Sequence, residues 1–170
     1  MLSQQTILIT GGTGSFGHTF VPMTLAKYNP RKIIIYSRDE MKQWEMAKLY
    51  KDDSRVRFFI GDVRDRDLLD KLLAKHTVQA VLHFAGLKAV GESVSQPLRY
   101  YDNNVHGSQV LLQACADAGV FNFVFSSSAT VYGEPAQMPI SEACPVGQPT
   151  NPYGRSKLMV EDMLCDVAAS

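Results

Sequence analysis

Five short apolar runs, each followed by a stretch of helical character, leave few folds open to this chain. The runs are Thr6 to Thr10, Lys32 to Tyr36, Val56 to Ile60, Ala80 to Phe84 and Asn122 to Ser126. Each is a near-continuous series of β-branched, Leu or Phe residues, as expected of strands covered by helices on both faces. Helices are expected near Ser15 to Tyr28, Glu40 to Tyr50, Arg66 to Lys75, Pro97 to Ala118 and Pro152 to Val167. The fourth is the longest, with Ser95 and Pro97 as start signals and Gly119 as its stop. A strand-helix rhythm of this kind builds a doubly wound parallel sheet of α/β class. Right-handed crossovers from a central first strand give the order 3-2-1-4-5. Residues 133–150, with four prolines, two glycines and no clear period, are expected to form an ordered loop over the sheet edge. No repeat, linker or low-complexity tract divides the chain, so residues 1–170 are read as a single domain.

Composition removes several function classes. Lys and Arg number 17 against 17 Asp and Glu, and no basic run exceeds two residues, which argues against a nucleic-acid surface. Cys115, Cys144 and Cys165 form an odd set without CxxC spacing, so neither a disulfide framework nor a zinc site is expected. The N-terminus lacks a basic region before an apolar stretch, and no apolar run approaches a membrane span. A cytoplasmic protein with reduced thiols and no metal is the expectation.

The first strand runs into Thr10-Gly11-Gly12-Thr13-Gly14-Ser15-Phe16-Gly17 and then into a helix. That is the context a dinucleotide-binding turn needs. Glycines allow the tight turn and close backbone approach to a pyrophosphate, while the helix N-terminus offers N–H groups to the anion. The second strand ends Ile35-Tyr36-Ser37-Arg38-Asp39-Glu40, where the adenosine ribose is read. An acid at the tip selects the free 2′-hydroxyl of NAD, whereas Arg accommodates the 2′-phosphate of NADP. Ser37 and Arg38 occupy the tip, with Lys42 near, which favours NADP. The alternative, NAD, has Arg38 solvated and Asp39 on the ribose.

Gly61-Asp62-Val63 and Ala85-Gly86-Leu87-Lys88 follow the third and fourth strands, at the edge where ligands of open α/β sheets bind. His83, inside strand four, is expected to be a packed, hydrogen-bonded histidine. His18, His76 and His106 form no ligand cluster, and Trp44, between Met41 and Met46, is expected to pack its helix. The most informative group comes late: Ser126-Ser127-Ser128-Ala129-Thr130 at the end of strand five, then Tyr153-Gly154-Arg155-Ser156-Lys157. Residues four apart share a helix face, so Tyr153 and Lys157 stand together. A phenol is a poor base near neutral pH, but a neighbouring ammonium and a cationic nicotinamide stabilise its phenolate. A serine hydroxyl from the strand end can hold the substrate oxygen while the proton moves.

With these motifs in place the chain resembles the extended short-chain dehydrogenase/reductase family, which acts on nucleotide sugars. Residues 1–66, with the glycine turn, Ile35 to Glu40 and Phe59 to Asp65, resemble UDP-N-acetylglucosamine 4,6-dehydratases, typically NADP enzymes. From residue 67 onward, His83 to Ser93 and Phe125 to Gly133 resemble UDP-galactose (UDP-glucose) 4-epimerase, which holds NAD. The resemblance implies a Rossmann-like fold in which Gly11, Gly14, Ser15, Phe16 and Gly17 contact pyrophosphate, and Asp62 and Val63 embrace adenine. Phe84, Ala85, Gly86, Lys88, Asn103 and Ser126 would follow the cofactor toward its nicotinamide. Ser128, Tyr153 and Lys157 would be the catalytic set: Tyr153 as base, Lys157 on the nicotinamide ribose and favouring the phenolate, Ser128 on the sugar oxygen. Ser128-Ala129-Thr130 stand where the dehydratase branch has acidic or lysine residues, which favours transient C4 oxidation of a UDP-sugar over loss of water.

Enzymes of this family continue well past the residue matching Lys157, adding a sixth strand and a sugar-nucleotide lobe. The expectation for these 170 residues is therefore cofactor binding with little or no turnover, as a chimera or an excised half. Alternatives are a dinucleotide-binding module without catalysis, a fold chimera without selected function, and a 4,6-dehydratase-like enzyme. An open sheet edge at strand five is expected to make copies self-associate.

Overall fold

The computed structural model describes residues 2–135 and 137–169. Its elements follow the alternation closely: β1 (Thr6–Thr10), α1 (Ser15–Tyr28), β2 (Lys32–Ser37), α2 (Glu40–Leu49), β3 (Val56–Ile60), α3 (Arg66–His76) and β4 (Ala80–His83). Then come α4 (Val90–Ser95), α5 (Pro97–Tyr100), a π-helical turn (Tyr101–His106), α6 (Gly107–Asp117), β5 (Asn122–Phe125), a 3-10 turn (Ala129–Tyr132) and α7 (Pro152–Ala169). The five strands are parallel throughout in the order β3-β2-β1-β4-β5, the Rossmann-like arrangement expected.

The chain forms two compact units. The first comprises Met1–Ala85 and Val110–Ser126, and the second Gly86–Gln109 and Ser127–Ser170. In the first unit, alternate residues of each strand feed opposite faces of the sheet. Leu8, Ile34, Tyr36 and Val81 pack with Leu69, Leu72 and Leu73 of α3 and with Leu111, Ala114 and Cys115 of α6. Ile7, Ile9, Ile33, Ile35 and Leu82 pack with Val21 of α1 and Met46 of α2. Covering both faces is why the central strands carry no polar alternation. Burial among apolar neighbours pushes the Cys115 thiol up to about 12. The three cysteines are free thiols, and no metal-binding cluster occurs among the described residues.

Three expectations give way. The long helix from Pro97 is not one α-helix: a π-turn interrupts it, with Asn103 and Asn104 buried there. Asn is a poor helix former whose amide competes for backbone partners, and here it finds them outside the helix. A short helix, α4, fills the stretch after β4 that carries no periodic signal. Trp44 does not pack its helix. The buried face of α2 is Gln43 and Met46, and Trp44 lies outside it, 59% exposed, with the Lys48 ammonium over its ring. Residues 133–150 contain neither strand nor helix among those described, as expected of an ordered loop.

Candidate functional site

In the first unit the site begins where β1 turns into α1. Gly11 has φ +68 and its absent Cβ would lie 2.7 Å from the Ala85 amide nitrogen, so only glycine fits between the β1 and β4 ends. A Cβ at Gly17 would overlap the Gly12 carbonyl, so the helix start sits directly on the turn. At Gly14 the space is open, with only the Gly11 carbonyl oxygen near, 3.6 Å away. Gly14 caps α1 with no side-chain hydrogen bond, leaving the first-turn N–H groups to an outside acceptor. Gly14, Ser15 and Phe16 are exposed. Phe16 stacks on Phe84, ring centroids 3.7 Å apart. An open, uncapped helix start on a glycine cradle fits a pyrophosphate.

The other strand ends of this unit are held by polar contacts. Thr10 Oγ1 meets His83 Nδ1 at 2.6 Å and accepts from the Ala85 amide, so His83 is the packed, hydrogen-bonded residue expected of it. Ser37 Oγ lies 3.1 Å from Thr13 Oγ1, tying the β2 tip to the glycine turn. The Tyr36 hydroxyl donates to the Asp62 carbonyl, and burial raises that phenol above its ordinary range. Asp62 follows β3, its carboxylate gripped by Arg64 at 2.7 Å and reached by Arg38 at 3.2 Å. Those guanidiniums, with the Arg64 amide, pull Asp62 down to about 2. Asp39 caps α2 by accepting from the Lys42 amide and pairs with the Lys42 ammonium. Val63 is buried, and the Ser126 amide donates to the His83 carbonyl at the end of β5.

The second unit contains Gly86, Lys88, Asn103, Ser128, Tyr153 and Lys157. Gly154 of α7 packs on the 3-10 turn, where a Cβ would lie 3.0 Å from both Thr130 oxygens. That contact seats the start of α7, next to Tyr153 in the chain, on the 3-10 turn. Ser128 Oγ accepts from the Thr130 hydroxyl at 3.0 Å and caps the turn. The Tyr153 ring stands edge-on to Tyr100, centroids 6.5 Å apart, and Tyr100 donates to the Ala89 carbonyl and the Glu92 carboxylate. One helical turn beyond Tyr153, Lys157 is only 6% exposed, and its ammonium nitrogen lies 3.5 Å from where a Gly86 Cβ would stand. Burial lowers this amine to about 8, with Glu161 opposing the shift. Lys88 is exposed on the loop after Gly86. The Ser127 hydroxyl is buried without a hydrogen-bond partner, an acceptor or donor left for a bound molecule.

The sequence reading missed Asn104. Its Oδ1 accepts from the Leu87 amide at 2.8 Å and from Asn103 Nδ2 at 2.9 Å, and its Nδ2 donates to the Leu87 carbonyl and to Ser156 Oγ. This one side chain ties the Gly86–Leu87 loop to α7 beside Lys157. The available signal was a pair of asparagines in the middle of an otherwise good helix.

The family model described as GDP-mannose 4,6 dehydratase matches residues 8–170. A UDP-glucose 4-epimerase of Yersinia pestis is 50% identical over 163 residues, 95% of this chain and 48% of that protein. Among solved structures, UDP-glucose 4-epimerase from Bifidobacterium longum in complex with NAD+ and UDP superposes with a TM-score of 0.87 at 40% identity, over 97% of this chain and 49% of the other. The Brucella ovis UDP-glucose 4-epimerase in complex with NAD gives a TM-score of 0.83 at 36% identity, over 98% and 48%. The chain thus spans about half the length of the curated relatives it matches. These matches run across residues 66 and 67, where the sequence reading places a change of sub-family. The lean toward NADP finds no support among them, since both complexes hold NAD.

Proposed function

The chain belongs to the GDP-mannose 4,6 dehydratase family, and from its likeness to UDP-glucose 4-epimerases we propose that its 170 residues are the NAD-binding part of an epimerase-type enzyme acting on a UDP-sugar. The observation that carries the reading is Lys157, a buried amine one helical turn from Tyr153 on a helix seated against the Ser128–Thr130 turn. Burying a lysine is costly, and such a cost is kept where the amine serves another group. Relatives that carry NAD support NAD as the cofactor. So does the β2 tip, where Arg38 and Lys42, the two cations available to a 2′-phosphate, already face Asp62 and Asp39.

In this reading, a nicotinamide dinucleotide held by these residues would supply the hydride acceptor and donor for reversible oxidation at C4 of the sugar. Ser128 Oγ holds the C4 oxygen, the Lys157 ammonium favours the phenolate form of Tyr153, and that phenolate takes the proton from the C4 hydroxyl and becomes the neutral phenol. Gly11, Gly14, Ser15, Phe16 and Gly17 hold the pyrophosphate by backbone N–H groups and close packing, and Asp62 and Val63 the adenine side. Ser37 and Arg38 stand at the ribose. Phe84, Ala85, Gly86, Lys88, Asn103 and Ser126 take the positions the resemblance gives them along the cofactor. The 170 residues act as one cofactor-binding domain in the cytoplasm, and copies associate through β5. Turnover by these residues alone is proposed to be slight. The test adds UDP-glucose to the NAD-loaded protein and follows reduced nicotinamide. Reduction that depends on Tyr153 supports the reading, and no reduction together with no NAD binding refutes it.

A further inference from the structure

The tip of β2 poses a charge problem that the proposed function leaves open. Arg38 and Arg64 pair with Asp62, and Lys42 pairs with Asp39. Asp39 is committed twice, to the Lys42 amide at 3.0 Å and to the Lys42 ammonium at 3.0 Å. Asp62 is committed more heavily. Its Oδ1 accepts from the Arg64 amide and from Arg64 Nε, each at 2.9 Å, while Oδ2 takes Arg64 at 2.7 Å and Arg38 at 3.2 Å. Arg38 alone of these cations follows Ser37, the residue whose hydroxyl is bonded to Thr13 of the glycine turn. Arg38 is half exposed and reaches Asp62 through Nη1 alone, so a ligand that draws the guanidinium away competes with that contact.

Resting on the reading that this unit binds a nicotinamide dinucleotide, we infer that the Asp62 carboxylate sets the discrimination between forms with and without a 2′-phosphate, by holding the Arg38 guanidinium. A phosphate monoester at the ribose needs a forked donor, and Arg38 is the guanidinium at the tip. While Asp62 holds it, an incoming phosphate must compete with that carboxylate for the guanidinium and must approach a group of its own sign. A free 2′-hydroxyl pays neither penalty. Asp62 stays ionised far into acid, so the restraint operates at every physiological pH. The arrangement gives Asp62 a second task beside the adenine and makes Arg38 a residue in waiting rather than a solvated loop side chain.

Calorimetric titration of NAD and NADP into the protein and four variants tests this. Asp62→Asn keeps an oxygen for the Arg64 amide but lacks the charge that restrains Arg38. It should move the ratio of the two affinities toward NADP by about tenfold, the size of one charge-assisted hydrogen bond. In Asp62→Asn combined with Arg38→Ala that gain should vanish, whereas Arg38→Ala alone should change the ratio little. Arg64→Gln leaves both members of the pair and strengthens the hold of Asp62 on Arg38, so NADP should lose ground. It provides the answer even if Asp62→Asn fails to fold. A ratio unmoved by Asp62→Asn, a shift that survives removal of Arg38, or a gain for NADP in Arg64→Gln overturns the inference. Failure of the unaltered protein to bind either dinucleotide would instead strike the proposed function itself.

Discussion

Replacing Lys157 by Met should stabilise the protein at neutral pH while ending the function proposed for it. The amine is held near 8 against an ordinary value of 10.5 because burial penalises its charged form. At about 1.4 kcal/mol for each unit, that difference corresponds to a cost of about 3 kcal/mol whenever both folded and unfolded states carry the proton. The cost is present in full below about pH 8. Between the folded and the unfolded value the unfolded chain binds more protons, so stability rises with pH and the cost fades. Methionine has a similar length, fills the same space and carries no charge. Lys157→Met should therefore be more stable by about 3 kcal/mol near pH 7, a rise of about 6 to 12 °C in Tm for a chain of this size. The advantage should shrink toward zero near pH 10.5, read from urea unfolding at both pH values. A variant no more stable at pH 7, or an advantage that does not change with pH, would show that desolvation is not what perturbs this amine.

Gly17→Ala should cost the β1–α1 turn its geometry, because the added Cβ meets the Gly12 backbone rather than a movable side chain; a fall in Tm and loss of NAD binding in one variant is the expected result. Asn104→Ala leaves the Leu87 amide and carbonyl without the side-chain partner they have now, and at about 1–3 kcal/mol for each stranded group the loss of stability should reach about 2 kcal/mol or more. Hydrogen exchange at the Leu87 amide should quicken with it, and unchanged protection would count against the latch. Burial and nearby Lys32 lower the His76 imidazole below its ordinary 6.5, so the unfolded state binds more protons there and stability falls as pH drops through that value. His76→Phe should flatten the fall that sets in as pH drops below about 6.5 in urea titrations. The exposed edge of β5, with Val124 and Phe121 mostly bare, should drive concentration-dependent association seen by sedimentation, and Val124→Lys should reduce it.

What the sequence disclosed was local. The strands and the glycine turn are specified by neighbours in the chain: β-branched runs, then glycines whose spacing follows from a tight turn, then a helix. Tyr153 and Lys157 could be paired in advance because a helix fixes residues four apart. Contacts between distant segments were not legible. Nothing near Arg38 announces Asp62, twenty-four residues on, so charge at the β2 tip looked available when it was already engaged. Asn104 looked like a weak residue in a good helix because its partners, Leu87 and Ser156, lie 17 and 52 residues away. Trp44 misled for the opposite reason, since its size suggested burial while the face of α2 that packs is set by Gln43 and Met46.

The central proposal is that this chain binds a nicotinamide dinucleotide, and titration of NAD into the purified protein tests it most directly. The account predicts saturable binding of one NAD per chain, abolished by Gly17→Ala and weakened by Lys157→Met even though that variant is the more stable protein. Absence of binding to the unaltered chain, or binding that neither substitution changes, would contradict it.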